Sequence, residues 1–267
     1  MSLRIQHNVD ALTASRHLTN TSDAASKSMS RLSSGFRVNS AADDAAGLSI
    51  SERMRGQIRG LAQARNNAGD GISMVQTAEG ALGEVHSMLQ RTRELVVQYK
   101  NGSLSTADRT AIQSEVNQLA SEIERIGSTT SFNGTKVLNA SGTVTFQIGA
   151  NDGETVTVPT ISLGSSINAA TFSLGAATDL AEIDTAINNV SDTRAQFGAV
   201  QNRMEYTVNS ISSYHENLTA AESRIRDVDM AAELVTKTKL SILQQAGTAM
   251  LAQANQSNQG VLQLLQG

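Results

Sequence analysis

Histidines and carboxylates are where chemistry would have to begin in this chain, because it contains no cysteine and therefore no thiolate nucleophile, Cys-ligated metal or disulfide. His7, His17, His86 and His215 are dispersed and make neither an HxxxH nor an HExxH pair, the helical spacings that bring two imidazoles to one metal. The neighbours Asp43 and Asp44 could work as paired carboxylates, but nothing near them in sequence would raise one pKa as acid–base work requires. A place near the positive N-terminal end of a helix accounts for both. Asp70-Gly71 and Asn151-Asp152-Gly153 lack the further acidic ligands of a calcium loop. The glycines nowhere assemble a dinucleotide fingerprint or a phosphate-cradling P-loop. No catalytic residue, cofactor site or metal site is expected.

The elements that would carry these residues are unusual. In 267 residues there is no Trp, and there are three Tyr, five Phe and one proline, Pro159. A compact enzyme draws core volume from aromatics. This chain must use small aliphatic side chains, which suit long helices in close approach. A formal net charge of −4 predicts affinity neither for nucleic acid nor for anionic membrane. The first residues contain no continuous apolar run, so no cleaved secretory signal is expected. No stretch is apolar for the roughly 18 residues a spanning helix needs, so no membrane insertion is expected.

Apolar periodicity is the strongest signal. Steps of seven from Leu61 meet Ala68, Val75, Leu82, Leu89 and Val96. The same step near the other end meets Ile183, Val190, Phe197, Met204, Ile211, Leu218 and Ile225. A narrow seam needs a partner helix, and the economical solution packs the two against each other. His86 and His215 fall between seam positions and read as core-edge polar groups. The first long helix is expected to begin at Ser40 as N-cap and to run to about Tyr99. Its seven interior glycines make it dependent on neighbours, since each costs about 1 kcal/mol relative to alanine. A third helix should start at the Ser105/Asp108 capping box and stop at Gly127. Alternation over 143–148 and 155–158, around Asn151-Asp152-Gly153, predicts a β-hairpin; Phe132-Asn133-Gly134 predicts a tight turn.

The chain ends form a separate pattern. Ile5, Val9, Leu12, Leu18, Met29 and Leu32 mark an N-terminal helix ending at Gly35. Beyond Ile225 the seam continues through Val228, Val235, Ile242 and Ala249, and from Leu240 onward there is no charged residue. Met250, Leu251, Leu264 and Leu265 keep this end apolar on one face. A charge-free amphipathic segment tolerates burial on several sides, and we expect it to order on assembly. The fold class expected is mainly α: a long, antiparallel, coiled-coil-like helical rod built from both chain ends, with a small β-hairpin region in the middle. Its function would lie in self-assembly.

Particular runs resemble one family. Arg4-Ile5, Asn8-Val9 and Ala11-Leu12 lead into Arg31-Leu32-Ser33-Ser34-Gly35 and Asp43-Asp44-Ala45-Ala46-Gly47-Leu48. Asp70-Gly71-Ile72-Ser73, Gln76-Thr77-Ala78-Glu79-Gly80-Ala81-Leu82 and Ala221-Glu222-Ser223-Arg224-Ile225-Arg226-Asp227 follow, with Met250-Leu251-Ala252-Gln253-Ala254-Asn255 near the end. Together with Phe146-Gln147-Ile148-Gly149-Ala150-Asn151 these resemble bacterial flagellins over about 1–160 and 190–267.

That resemblance implies a short flagellin with little or no outer D2/D3 domain. Residues 1–39 and 226–267 would form the terminal D0 helices. Residues 40–225 would form D1, with its β-hairpin region at about 130–178. The implied role is a structural subunit that polymerises into the flagellar filament for swimming motility, exported unfolded by the type III route and assembled at the filament tip. The end residues named above would join subunits; the two seams, with Leu61, Val75, Leu82, Leu89 and Val96 on one side, would form the rod core. Implied partners are other copies of the chain, an export chaperone, hook-associated junction and cap proteins, and the animal Toll-like receptor for flagellin. For the last, Gln90, Arg91, Leu95 and Glu115 match the family's recognised patch. The implied location is extracellular, in the flagellum. The alternatives are a hook–filament junction protein and, from a different class, a cytoplasmic coiled-coil scaffold.

Overall fold

The computed structural model describes residues 7–164, 174 and 179–266, with side chains to 256. Ile5, and residues 165–173 and 175–178 of the expected hairpin region, lie outside the described residues, as do the side chains of Leu264 and Leu265. The described elements, in chain order, are α1 (Val9–Ser34), α2 (Ala45–Tyr99), α3 (Thr106–Thr129), β1 (Ser131–Phe132), β2 (Thr135–Lys136), β3 (Asn139–Gln147), β4 (Thr155–Ser162), α4 (Asp179–Arg226) and α5 (Met230–Gln266). They form two compact units, one from 1–56 with 218–267 and one from 57–217. The chain passes between units inside α2 and again inside α4, whereas the sequence reading divides it at 39/40 and 225/226.

In the unit of 57–217, the two seams share one core. Val75, Leu82, Leu89 and Val96 of α2 are buried together with Ile183, Val190, Phe197 and Met204 of α4. The pairing is antiparallel: Arg93 Nε meets Asp184 Oδ1 at 2.7 Å, while Arg194 Nη2 meets Glu79 Oε1 at 2.9 Å. α3 adds Ile112, Val116 and Ile123 to this core. α2 runs 55 residues without a glycine break, roughly 82 Å at 1.5 Å per residue. The core supplies what its glycine-rich sequence lacks.

The strands follow their alternation. β3 and β4 pair antiparallel with Val144 opposite Val158 and Phe146 opposite Val156. Val156 and Val158 face the core. The β1–β2 turn puts Asn133 at φ 47° and Gly134 at φ 81°, both left-handed, as a two-residue hairpin with right-twisted strands demands.

In the other unit, α1 lies antiparallel on α5. Asn8 of α1 bonds Ala254 of α5, and Arg31 approaches Glu233. α1 ends as expected: Gly35, at φ 75°, donates its N–H to the Arg31 carbonyl. The segment after it pairs with the α4–α5 connection. Arg37 N–H donates to Arg226 O at 2.7 Å, Val228 N–H donates to Gly35 O at 3.0 Å, and the Arg226 guanidinium sits 4.5 Å from the Phe36 ring centroid.

Three expectations are corrected. α2 begins at Ala45, not after Ser40. Asp43 turns its carboxylate back onto the Asn39 and Ser40 N–H groups and the Ser40 hydroxyl, closing a turn ahead of the helix. Asp44 then caps α2 by accepting from Gly47 N–H at 2.8 Å. Gly127 does not stop α3, which continues to Thr129; it is buried because a Cβ there would lie 3.3 Å from Leu163. The seam does not cross from Ile225 to Val235 as one helix. Asp229 caps α5 afresh, accepting from Ala231 and Ala232 N–H. The charge-free end lies within α5 and is helical.

Candidate assembly surfaces

α1 and α5 bury little of what their sequences offer. Leu18 and Leu32 are half-buried, whereas Val9, Leu12 and Met29 are exposed. On α5, Leu251 is half-buried, while Val235, Ile242 and Met250 are exposed by 71, 61 and 64%. Scattered apolar side chains are normal on a protein surface, but rows of them mark interaction sites. These are rows. Leu234, Val235, Ile242 and Leu243 recur at helical spacing along α5 and edge a shallow recess of about 500 Å³. Leu234 and Leu243 are not in the contact set expected from sequence, although each adjoins a member of it, Val235 and Ile242, and the apolar periodicity of α5 carries the signal for both. A second recess, of about 720 Å³, runs between α1 and α5 past Leu18, Leu243 and Met250.

The small residues of α5 explain how closely the helices approach. A Cβ built on Gly247 would stand 3.3 Å from the Leu18 Cδ1. The pair is packed on its inner side and apolar on its outer side.

The seam residues behave differently. Leu61, Val75, Leu82, Leu89, Val96, Ile183, Val190, Phe197, Met204 and Ile211 are buried in the unit of 57–217. Leu218 and Ile225, in the other unit, are only half-buried. At that height α2 presents Ser51 and Glu52, so the contact turns polar: Ser51 Oγ donates to Glu222 at 2.8 Å, and Arg226 reaches Glu52 at 3.2 Å.

Gln90, Arg91 and Glu115 are exposed, and Arg91 reaches Glu115 of α3 at 3.0 Å and Glu94 of its own helix at 3.1 Å. Those partners hold the Arg91 guanidinium more firmly protonated than usual, through the hydrogen bonds of Glu94 and then Glu115. Leu95 does not join them. It is 2% exposed and belongs to the core.

Among the described residues, no three His, Cys, Asp or Glu side chains come together as metal ligands. His86 instead shares a 2.9 Å hydrogen bond with Gln90. Asp43, half of the carboxylate pair, is held well below the usual carboxylate range by the Lys27 ammonium at 2.7 Å. That direction is opposite to what a proton donor needs. Among the described residues, no helix is long and apolar enough to cross a membrane.

Family models agree with this arrangement of two helical ends around a short middle. The bacterial flagellin N-terminal helical region matches residues 5–143, and the bacterial flagellin C-terminal helical region matches 180–265. The chain belongs to the bacterial flagellin family.

Flagellin of Bacillus subtilis (strain 168) is 48% identical over 303 residues, covering 98% of this chain and 100% of the relative. Flagellin of Halalkalibacterium halodurans is 50% identical over 269 residues, covering 98% and 99%. The crystal structure of Bacillus cereus flagellin aligns with a TM-score of 0.51 at 30% identity, over 59% of this chain and 94% of that one. A flagellin is a structural filament protein and not an enzyme. Only 144–179 separates the two matched regions, and the β3–β4 hairpin takes up half of it, so this is a short form.

Proposed function

We propose that this flagellin polymerises into the flagellar filament through α1 and α5, which act as the D0 helices, while the unit of 57–217 serves as the D1 body. The observation that carries the reading is the apolar row left open on α1 and α5, Val9, Leu12 and Met29 with Val235, Ile242 and Met250. Each fully buried large aliphatic is worth roughly 1.5–3 kcal/mol, so covering six of them offers ample drive for association. Repeated contacts between unlike faces give an open helical polymer when the rotation does not close.

Ile5, Leu18, Leu32, Leu251, Leu264 and Leu265 complete the proposed contact set. The seam residues, including Leu218 and Ile225, hold each subunit in shape. Export in an unfolded state, an export chaperone, and hook-associated junction and cap proteins enter as family-level proposals, with the filament outside the cell. Recognition by the animal Toll-like receptor for flagellin is carried by Gln90, Arg91 and Glu115 on the surface, with Leu95 supporting them from beneath.

Deleting 240–267 tests the central reading. The truncated chain should remain a soluble helical monomer and give no filaments by electron microscopy after salting out. Filaments of normal appearance from it would overturn the proposal.

A further inference from the structure

Asn-Gly occurs twice in the chain, at Asn101-Gly102 and at Asn133-Gly134. In this dipeptide the asparagine side chain is least shielded from the next backbone nitrogen, because glycine carries no Cβ. Asparagine is among the thermolabile residues. Both pairs are exposed, so water reaches both. Their backbones differ.

Asn133 sits at φ 47° and Gly134 at φ 81°, in the turn that joins β1 to β2. In the left-handed region ψ is about +30 to +60°. That places the Asn133 Cβ nearly opposite the Gly134 nitrogen across the Cα–C bond. Closing a ring from that nitrogen to the side-chain carbonyl carbon needs the two eclipsed instead. Reaching that geometry means giving up the turn and the β1–β2 pairing.

Asn101 lies between α2 and α3, outside helix and strand, and its backbone is not left-handed. Its two carbonyls are both assisted. Ser103 N–H donates to Asn101 Oδ1 at 3.2 Å, where it draws electron density from Cγ and stabilises charge that develops on the oxygen. Arg109 Nη2 donates at 3.5 Å to Asn101 O, the carbonyl of the peptide whose nitrogen belongs to Gly102. A guanidinium there favours the deprotonated amide, as a positive charge favours any nearby anion. The Tyr99 ring, with its centroid 5.6 Å from Arg109 Cζ, keeps that guanidinium at the turn. The one backbone bond to Asn101 O, from Leu104 N–H at 3.4 Å, is long, so turning the Asn101 Cα–C bond gives up little. Gly102 N–H has no hydrogen-bond partner among the described residues, and a Cβ at 102 would meet nothing within 4 Å.

We infer that Asn101 is a site of spontaneous modification in the folded protein, converting to aspartate and isoaspartate through a cyclic imide, with Ser103 and Arg109 as the groups that promote it. Hydroxide from solvent takes the Gly102 N–H proton, and the nitrogen attacks Asn101 Cγ. The Cγ–N bond forms while charge gathers on Oδ1 under the Ser103 N–H. Collapse of that intermediate breaks the Cγ–Nδ2 bond, and Nδ2 leaves as ammonia with a proton from water. Water then opens the imide at either carbonyl. One opening leaves aspartate; the other routes the main chain through Cβ and leaves isoaspartate, one methylene longer between α2 and α3. Either product adds a negative charge facing Arg109. The inference does not rest on the polymerisation reading.

The test uses the full-length chain aged in mildly alkaline buffer, both folded and in urea. Peptides are mapped by mass spectrometry, with digestion in heavy-oxygen water so that conversion during digestion is marked. In the folded chain Asn101 should convert at least about tenfold faster than Asn133, the ratio that a barrier difference of about 1.4 kcal/mol gives. In urea the two sites should convert at similar rates. Equal rates in the folded chain, or faster loss of Asn133, would overturn the inference. Arg109→Gln should slow conversion of Asn101 in the folded chain and leave the rate in urea unaltered. An unchanged folded rate in that variant would overturn the role given to Arg109. Gly102→Ala, which meets no neighbour, should slow conversion at Asn101 in both states and leave Asn133 as it was.

Discussion

Gly71 of α2 faces Met204 of α4 so closely that a Cβ at position 71 would lie 2.8 Å from the Met204 Cε and 2.9 Å from its Sδ. The Phe146 ring of the hairpin stands 3.4 Å away on the same side. Helix, facing helix and strand therefore converge on one missing side chain.

This contact sorts the glycines of α2 into two kinds. At Gly80 a Cβ would meet nothing within 4 Å. Gly80→Ala should therefore stabilise the protein by about 0.5–1 kcal/mol, the cost a mid-helix glycine imposes. Gly71→Ala gains the same propensity but must push a buried methionine, and overpacking costs about 1–3 kcal/mol. It should be less stable than Gly80→Ala by that amount in urea denaturation. Equal stability of the two variants would mean that Met204 repacks freely.

Burial likewise divides the seam. Leu82 is fully buried, so Leu82→Ala should cost about 2–5 kcal/mol. Leu218, on the second seven-residue seam, is half-buried where the contact has turned polar, so Leu218→Ala should cost about half as much or less. Similar losses in denaturant titrations would show that Leu218 is packed as tightly as Leu82.

The helices were legible in the sequence for a physical reason: burial on one side of a helix leaves a periodic record, and both seams carry it. Ser105/Asp108 marked the start of α3 in the same way, because a capping box is written in two side chains. Glycine was ambiguous. Gly35 ends a helix through a left-handed backbone, whereas Gly127 sits inside one to admit Leu163, and composition does not distinguish these uses. The start of α2 was misread because Ser40, Asp43 and Asp44 all suit a cap, and only geometry assigns Asp43 to the preceding turn. Of the surface residues, the exposed rows on α1 and α5 follow from apolar periodicity without an obvious partner. The Asn8–Ala254 bond does not, since nothing local to Asn8 encodes a contact 246 positions away.

The surroundings of Arg91 and Leu95 allow the proposed receptor recognition to be separated from folding. Arg91 and Glu115 are both about half exposed, with side-chain exposures of 51% and 46%. Exposed pairs contribute about 0–1 kcal/mol, so Arg91→Ala should leave the thermal midpoint nearly unchanged while removing the guanidinium from the surface. Leu95→Ala should destabilise by about 2–5 kcal/mol because it opens the core. In a receptor-activation assay, Arg91→Ala should lose activity as a folded protein. Full activity in that variant would remove Arg91 from the proposed patch.

Lys27 and Asp43 supply a pH dependence whose sign is set by their geometry. Lys27 Nζ lies 2.7 Å from Asp43 Oδ1, and this bond, with those from Ser40 and Asn39, holds the carboxyl well below its ordinary value of 3.8. A carboxyl whose folded pKa is depressed binds fewer protons than in the unfolded chain, so its stabilisation is complete above the unfolded pKa. It is lost progressively as the pH falls below about 4, through the depressed folded value. Asp43→Asn removes the charge while leaving an oxygen to accept from Ser40. The variant should melt below the unaltered chain at neutral pH, and the gap should narrow on acidification from about pH 5 to pH 2. Because Lys27 is half exposed, added salt should shrink the gap at neutral pH as well. A gap that stays constant from pH 7 to strong acid would mean that the Asp43 charge does not stabilise the turn between α1 and α2.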